Sequence, residues 1–169
     1  SETVTEVVSD LTLHRALTQE IFRLNEDEEP FVFGLIDIDD FEKINIDFGI
    51  ANGDLVLEYF NKYLKGKLGT HDRVIQMDGN RYAVIINGKS DLDSLNLLFE
   101  DLLHSIHKIF NIEGHYLDIK FSAGFVMVSI PCVTATEILK SADTLLYQVK
   151  DSGKNGYIFQ LIESPLDVA

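Results

Sequence analysis

The chain has 169 residues, a formal net charge of −14 and 46% hydrophobic residues, enough to bury one substantial core in one domain. Such acidity excludes a protein that grips nucleic acid through a basic field. No run approaches the ~18 uninterrupted apolar residues of a membrane span, no charged-then-apolar leader opens the chain, and the single cysteine, Cys132, read as a structural thiol, can form neither an internal disulfide nor a thiolate zinc site. These features describe a cytoplasmic segment without nucleic-acid or membrane contact.

Residues 1–9 read as a tail or the end of a linker helix, 10–160 as the folded domain and 161–169 as a loose tail. Leu13, Leu17, Ile21 and Leu24 recur at helical spacing and predict a first amphipathic helix over 10–24. The acidic run from Asn25 to Pro30 is expected to stop it. Residues 31–37 form an unbroken apolar run, a buried strand, after which Asp40 is placed to cap a short helix reaching Phe48 and ended by Gly49. A longer helix over 52–67 carries Val56, Tyr59, Phe60, Tyr63 and Leu64 on one face. Two β-prone runs, 73–77 and 81–86, flank Asp78-Gly79-Asn80, and Asp-Gly between alternating apolar residues signals a hairpin. Next come a helix over 93–110 with Leu95, Leu98, Leu102, Ile106 and Ile109, then strands over 116–121 and 124–130. The capping box Thr134-x-x-Glu137 opens a helix through Ile138, Ala142, Leu145 and Val149, which Asp151-Ser152-Gly153 breaks before a last strand over 157–160. This order predicts an α+β fold, a mainly antiparallel central sheet flanked by helices.

Two segments carry the chemistry. The first, LIDIDDFEKINIDFGIANGD, places Asp37, Asp39 and Asp40 at a strand end and Asn45, Gly49 and Gly53-Asp54 beyond it; the second is the hairpin MDGNRYAVI. Together they resemble the defining segments of the GGDEF domain, the diguanylate cyclase family. The resemblance implies a ferredoxin-like palm that makes cyclic di-GMP from two GTP. It also implies metal ligands at Asp37, at the Ile38 carbonyl and at an acidic signature residue. Guanine would be read at Asn45 and Asp54, and phosphates approached by Lys150 and Lys154, with lysine where arginine is usual at the second.

The departures are concentrated at the reacting end. The signature Gly-Gly-Asp/Glu-Glu-Phe stands as Asp78, Gly79, Asn80, Arg81 and Tyr82, Glu42 replaces a phosphate-side lysine, and Ile50 replaces a histidine. The product-binding Arg-x-x-Asp reads Gly69-Thr70-His71-Asp72, without its arginine, and the N-terminal motif is shortened to Asp10-Leu11-Thr12-Leu13-His14-Arg15. Two-metal phosphoryl transfer needs oxygen ligands; asparagine offers a neutral oxygen and arginine none. A guanidinium in place of a carboxylate changes the local charge by two, and a unit pair about 4 Å apart is worth roughly 4 kcal/mol at an effective dielectric near 20. Catalysis is therefore expected to be absent, with no cofactor required, magnesium present only beside a bound nucleotide, and Asp37 and Ile38 as residual metal positions.

Arg81 has two directions open to it: a pair with Asp37, or a place along a triphosphate. Asp37, Asn45, Asp54, Arg81, Lys150 and Lys154 make up the expected nucleotide site. The plainer readings are that Asp54 caps the helix after Gly53, that Asn45 caps a turn and that the lysines solvate a helix end. Three functions follow from the sequence. One is a non-catalytic regulatory domain of bacterial cyclic di-GMP signalling that binds GTP or another guanine nucleotide. The second is a ligand-free protein–protein interaction or dimerisation domain, and the third an active cyclase using Asp37, Asp39 and Asn80. Partners would be other domains of a larger signalling protein, a separate protein or a second copy. His104 and His107 lie three apart on a helix without a third ligand, and His14, His71 and His115 are isolated.

Overall fold

A computed structural model describes residues 10–89, 91–106, 110–112 and 114–168. The tail or linker helix expected over 1–9 lies outside the described residues, as do His107 and Ile109. The elements are α1 (Asp10–Asp27), β1 (Phe31–Ile38), α2 (Phe41–Phe48), α3 (Ile50–Lys67), β2 (Arg73–Gln76), β3 (Arg81–Ile86), α4 (Leu92–Ser105), β4 (Phe110–Ile112), β5 (His115–Leu117), β6 (Phe121–Val128), α5 (Ala135–Asp151) and β7 (Gly156–Ile162), with a closing 3-10 turn at Pro165–Val168.

Five strands form one sheet in the order β2-β3-β1-β6-β7, and β4-β5 form a separate ribbon. The central strand β1 runs antiparallel to β3 and β6, β2 antiparallel to β3, and β7 parallel to β6. Every residue of β1 is buried, because both faces of the sheet are covered. Val32, Ile36, Val84 and Phe125 pack with Val56, Phe60 and Leu64 of α3 and Leu95 and Phe99 of α4. Phe31, Phe33, Leu35 and Ile85 pack with Leu13 and Leu17 of α1 and Ile138, Ala142 and Leu146 of α5. A strand covered on both sides reads as a continuous apolar run, and the alternation of side chains sends Asp37 to the same face as Leu35, toward α5.

Several expectations need correcting. Helix α1 runs to Asp27, so Asn25 and the acidic Glu26 and Asp27 are its exposed last turn, and the chain leaves it at Glu28, whose φ is 56°. Asp40 precedes α2 in a left-handed conformation (φ 54°) and its side chain makes no cap bond. Helix α3 starts at Ile50, two residues earlier than expected, which puts Asp54 beyond the first turn and removes its role as a cap. Helix α4 ends at Ser105, and Phe110 belongs to β4. Residues 118–120 are not in a strand, whereas β6 runs unbroken through Gly124. That glycine is there for close packing of α5: a Cβ would lie 2.5 Å from the Ala142 carbonyl oxygen and 2.7 Å from the Leu146 nitrogen. Residues 161–168 are not loose, since Ile162 is fully buried in β7 and the Asp167 carboxylate accepts the Glu163 and Ser164 N–H groups at 2.8 and 3.0 Å. Cys132 is exposed rather than packed. The capping box at the start of α5 forms reciprocally, as the sequence spacing requires.

Candidate functional site

The site begins with register. Asp37 near the end of β1 pairs across the sheet with Arg81 at the start of β3, and on its other side with Ser122 of β6. Residues directly opposite on antiparallel strands have neighbouring side chains, and the guanidinium and carboxylate meet in a fork: Arg81 Nε donates to Asp37 Oδ1 at 2.8 Å and Nη2 to Oδ2 at 3.1 Å. Helix α5 brings two more groups. Lys150 Nζ donates to Asp37 Oδ2, and Asp143 Oδ1 accepts from Arg81 Nη1 at 3.2 Å. Asp143 and Lys150 are seven apart, two helical turns, and so share a face of α5. Asp37 is only 4% exposed, so its charge is balanced inside the protein by two cations. The Asp37 hydrogen bond, more than the opposing cost of burial, raises the pKa of Arg81 above its ordinary value.

The neighbouring positions are also filled. Asn80 Nδ2 donates to the Ile38 carbonyl at 2.6 Å, while the Ile38 N–H donates to the Asn80 carbonyl at 3.2 Å. Tyr82, last of the five signature positions, is fully buried and donates its hydroxyl to the Leu57 carbonyl at 2.7 Å. Asp78 and Gly79, the latter at φ 69°, form the exposed tip. A divalent cation needs free oxygens. Both Asp37 oxygens face a guanidinium or an ammonium, the Ile38 carbonyl faces an amide N–H, and Arg81 stands where a carboxylate would. These residues do not fit a metal, and among the described residues no group of three or more His, Cys, Asp or Glu could hold one. His104 pairs with Glu100 at 2.8 Å.

Beyond this core, Asp39 accepts from Ser122 Oγ at 2.7 Å and from the Asn155 N–H at 2.8 Å. Asp40 accepts from Lys154 Nζ at 2.7 Å, and that ammonium, followed by Lys43 and Lys120, holds its carboxyl below the ordinary carboxylate range. The left-handed conformations of Asp40, Lys154 and Asn155 aim these chain segments at one another. A cleft of about 590 Å³ opens above them, with Phe41, Glu42, Ile46, Asn80 and Lys150 among its walls. On the far side of the Asp40–Lys154 pair lies a second hollow of about 560 Å³, over Ile44, Phe48 and Leu117.

Asn45 and Asp54 sit apart from the ion-pair cluster. Asn45 Oδ1 is buried without a hydrogen-bond partner, resting on the bare Cα of Gly53, where a Cβ would come within 1.8 Å of it. The amide nitrogen is thus the end of this half-buried side chain open to a ligand. Asp54 is exposed, and among the described residues no hydrogen bond is recorded for its carboxylate. Of the six expected nucleotide-site residues the structure joins Asp37, Arg81 and Lys150 in one network, places Lys154 beside it on Asp40, and leaves Asn45 and Asp54 on α2 and α3. Asp143 and Ser122 were missed. The i, i+7 spacing of Asp143 and Lys150 was the available signal for the first; for Ser122 only sheet register could supply one.

A family model described as diguanylate cyclase, GGDEF domain, matches residues 2–156. The bifunctional diguanylate cyclase/cyclic di-GMP phosphodiesterase MucR of Pseudomonas aeruginosa is 26% identical over 158 residues, covering 94% of this chain and 23% of MucR. Diguanylate cyclase A of Treponema denticola is 27% identical, with 90% of this chain and 43% of that protein covered. The chain thus spans less than half the length of these two relatives. Among solved structures, the GGDEF domain of YfiN from Pseudomonas aeruginosa superposes with a TM-score of 0.83 at 21% identity, over 92% of this chain and 98% of that one. The coiled coil and GGDEF domain of DgcB from Caulobacter crescentus, in complex with c-di-GMP, gives 0.81 at 18% identity, over 94% and 84%.

Proposed function

The chain belongs to the diguanylate cyclase, GGDEF domain family, and from that premise we propose that it is a signalling module of the cyclic di-GMP system that does not itself make the dinucleotide. One observation carries this reading: both oxygens of Asp37 are engaged by Arg81 and Lys150. The charge that divalent ions would bring is supplied by side chains that cannot bind a reacting oxygen as a Lewis acid. Such a module acts through what it binds and through the rest of a larger protein. Incubation of the chain with GTP and magnesium or manganese, followed by chromatography, tests it. The expected result is no cyclic di-GMP; steady turnover abolished by Asp37→Asn would overturn the proposal.

A second observation favours a ligand. Asn45 offers N–H donors and Asp54 a free carboxylate, a pairing that suits the N1 and exocyclic N–H donors of guanine and an acceptor on its edge. The module therefore binds a guanine compound without metal. A ligand specific for the folded state at about 100 times its Kd adds roughly 2.7 kcal/mol, a rise of about 5–10 °C for a chain of this size. No rise with any guanine compound would leave the ligand-free interaction domain as the reading.

A further inference from the structure

We infer that the ligand of this site is a guanine compound with few phosphates, guanosine or its monophosphate, bound in preference to GTP. This rests on the guanine reading above and concerns the cleft beside Asn45 in sequence, where Phe41, Glu42, Lys43 and Ile46 of α2 form one wall. Three of the four cations at the phosphate end are already paired with a carboxylate. Arg81 and Lys150 are opposed by Asp37 and Asp143, and Lys154 by Asp40. Lys43 and Glu42 both line the cleft and cancel in charge. Asp39 remains, and its hydrogen-bond partners, the Ser122 hydroxyl and the Asn155 N–H, are neutral donors, so it has no cation to itself. The phosphate end thus carries a net charge of about −1 inside a chain of −14.

A phosphate could take Arg81, Lys150 or Lys154 only by displacing a carboxylate from it, and for Lys150 that carboxylate is the buried Asp37. Losing its partners would leave a charge stranded away from water. Beyond the one pairing that Lys43 offers, each added phosphate therefore meets repulsion and gains nothing in return. The base end behaves differently: the Asn45 amide nitrogen and the Asp54 carboxylate are not committed to protein partners, and a neutral nucleoside satisfies both. The affinity order then runs opposite to the number of phosphates.

The test is calorimetric titration of the full chain with guanosine, GMP and GTP in EDTA, at about 20 mM and about 500 mM NaCl. At low salt GTP should bind about tenfold or more weakly than guanosine. The gap should narrow to about threefold or less at high salt, since screening shortens the reach of the repulsion. Phosphate held by cations would give the opposite salt dependence. Glu42→Lys should raise the affinity for GTP relative to guanosine by about tenfold. GTP binding as tightly as guanosine, or weakening with salt, would overturn the inference while the guanine reading stood. No heat with any of the three would overturn both. Binding of guanosine that survives Asp54→Ala would move the ligand elsewhere and overturn both as well.

Discussion

Replacing Arg81 with alanine removes two hydrogen bonds to Asp37, at 2.8 and 3.1 Å, and one to Asp143 at 3.2 Å. Asp37 then keeps its burial and retains Lys150. Breaking a buried ion pair on one side costs about 3–5 kcal/mol. The surviving ammonium, and the 32% exposure of the Arg81 side chain, reduce this to about 2–3 kcal/mol. For a chain of this length the midpoint should fall by about 4–12 °C, read by thermal or urea unfolding at neutral pH. Adding Asp37→Asn to Arg81→Ala removes the stranded charge and should recover about 1–2 kcal/mol. The loss should persist in about 1 M NaCl, because the pair lies largely out of reach of mobile ions. A loss under about 0.5 kcal/mol, or one erased by salt, would refute the assignment of Arg81 as the counterion of Asp37.

Gly53→Ala should force the Asn45 amide out of its seat, since the new Cβ falls 1.8 Å from Oδ1; stability should change by less than about 1 kcal/mol, the helix propensity of alanine offsetting the displacement, while guanosine binding measured by calorimetry is lost. At Gly124 the obstacle is backbone, not a movable side chain, so Gly124→Ala should cost about 3 kcal/mol or more in urea unfolding. Asp40 titrates low because of Lys154, and Lys154 titrates high because of Asp40; their tie is complete between the two titrations, lost as pH falls through the depressed Asp40 value and again as it rises through the elevated Lys154 value. Lys154→Met should return the Asp40 titration, followed by carboxyl NMR, toward about 3.9, and an unmoved titration would deny the pair in solution. Burial, aided by Asp101 and Glu100 respectively, pushes Tyr63 and Tyr157 up to about 12, and burial lifts Tyr82 further. A phenol whose pKa is raised by folding contributes stability that is lost above its unfolded value of about 10, so tyrosinate absorbance should show these three titrating late, or only as the fold opens.

Much of this could be read from residue order. The apolar run of β1, the Asp-Gly turn and the Thr134–Glu137 box are local signals, and each forms where the spacing places it. The resemblance rested on motifs in β1, α2, α3 and the hairpin, elements that meet at one end of the sheet. Failures came where a residue answers to something distant. Gly124 looks like a strand break but is a notch for α5; Asp40 looks like a cap but turns to Lys154, 114 residues away. The ribbon of β4 and β5 is two three-residue pieces, too short for a period to show. For Arg81 the sequence left two directions open, and the cross-strand register with Asp37 decides between them.

The Arg81–Asp37 fork also limits which substitutions the site tolerates. Replacing Arg81 with glutamate would set a third carboxylate against Asp37 and Asp143, with Lys150 the cation left among them. That variant would be less stable than the present sequence, because three carboxylates would share one ammonium. The fold then needs Asp37 and Lys150 to neutralise each other, whatever chemistry the site performs. The presence of those two residues is therefore a mechanical requirement and not by itself a sign of turnover.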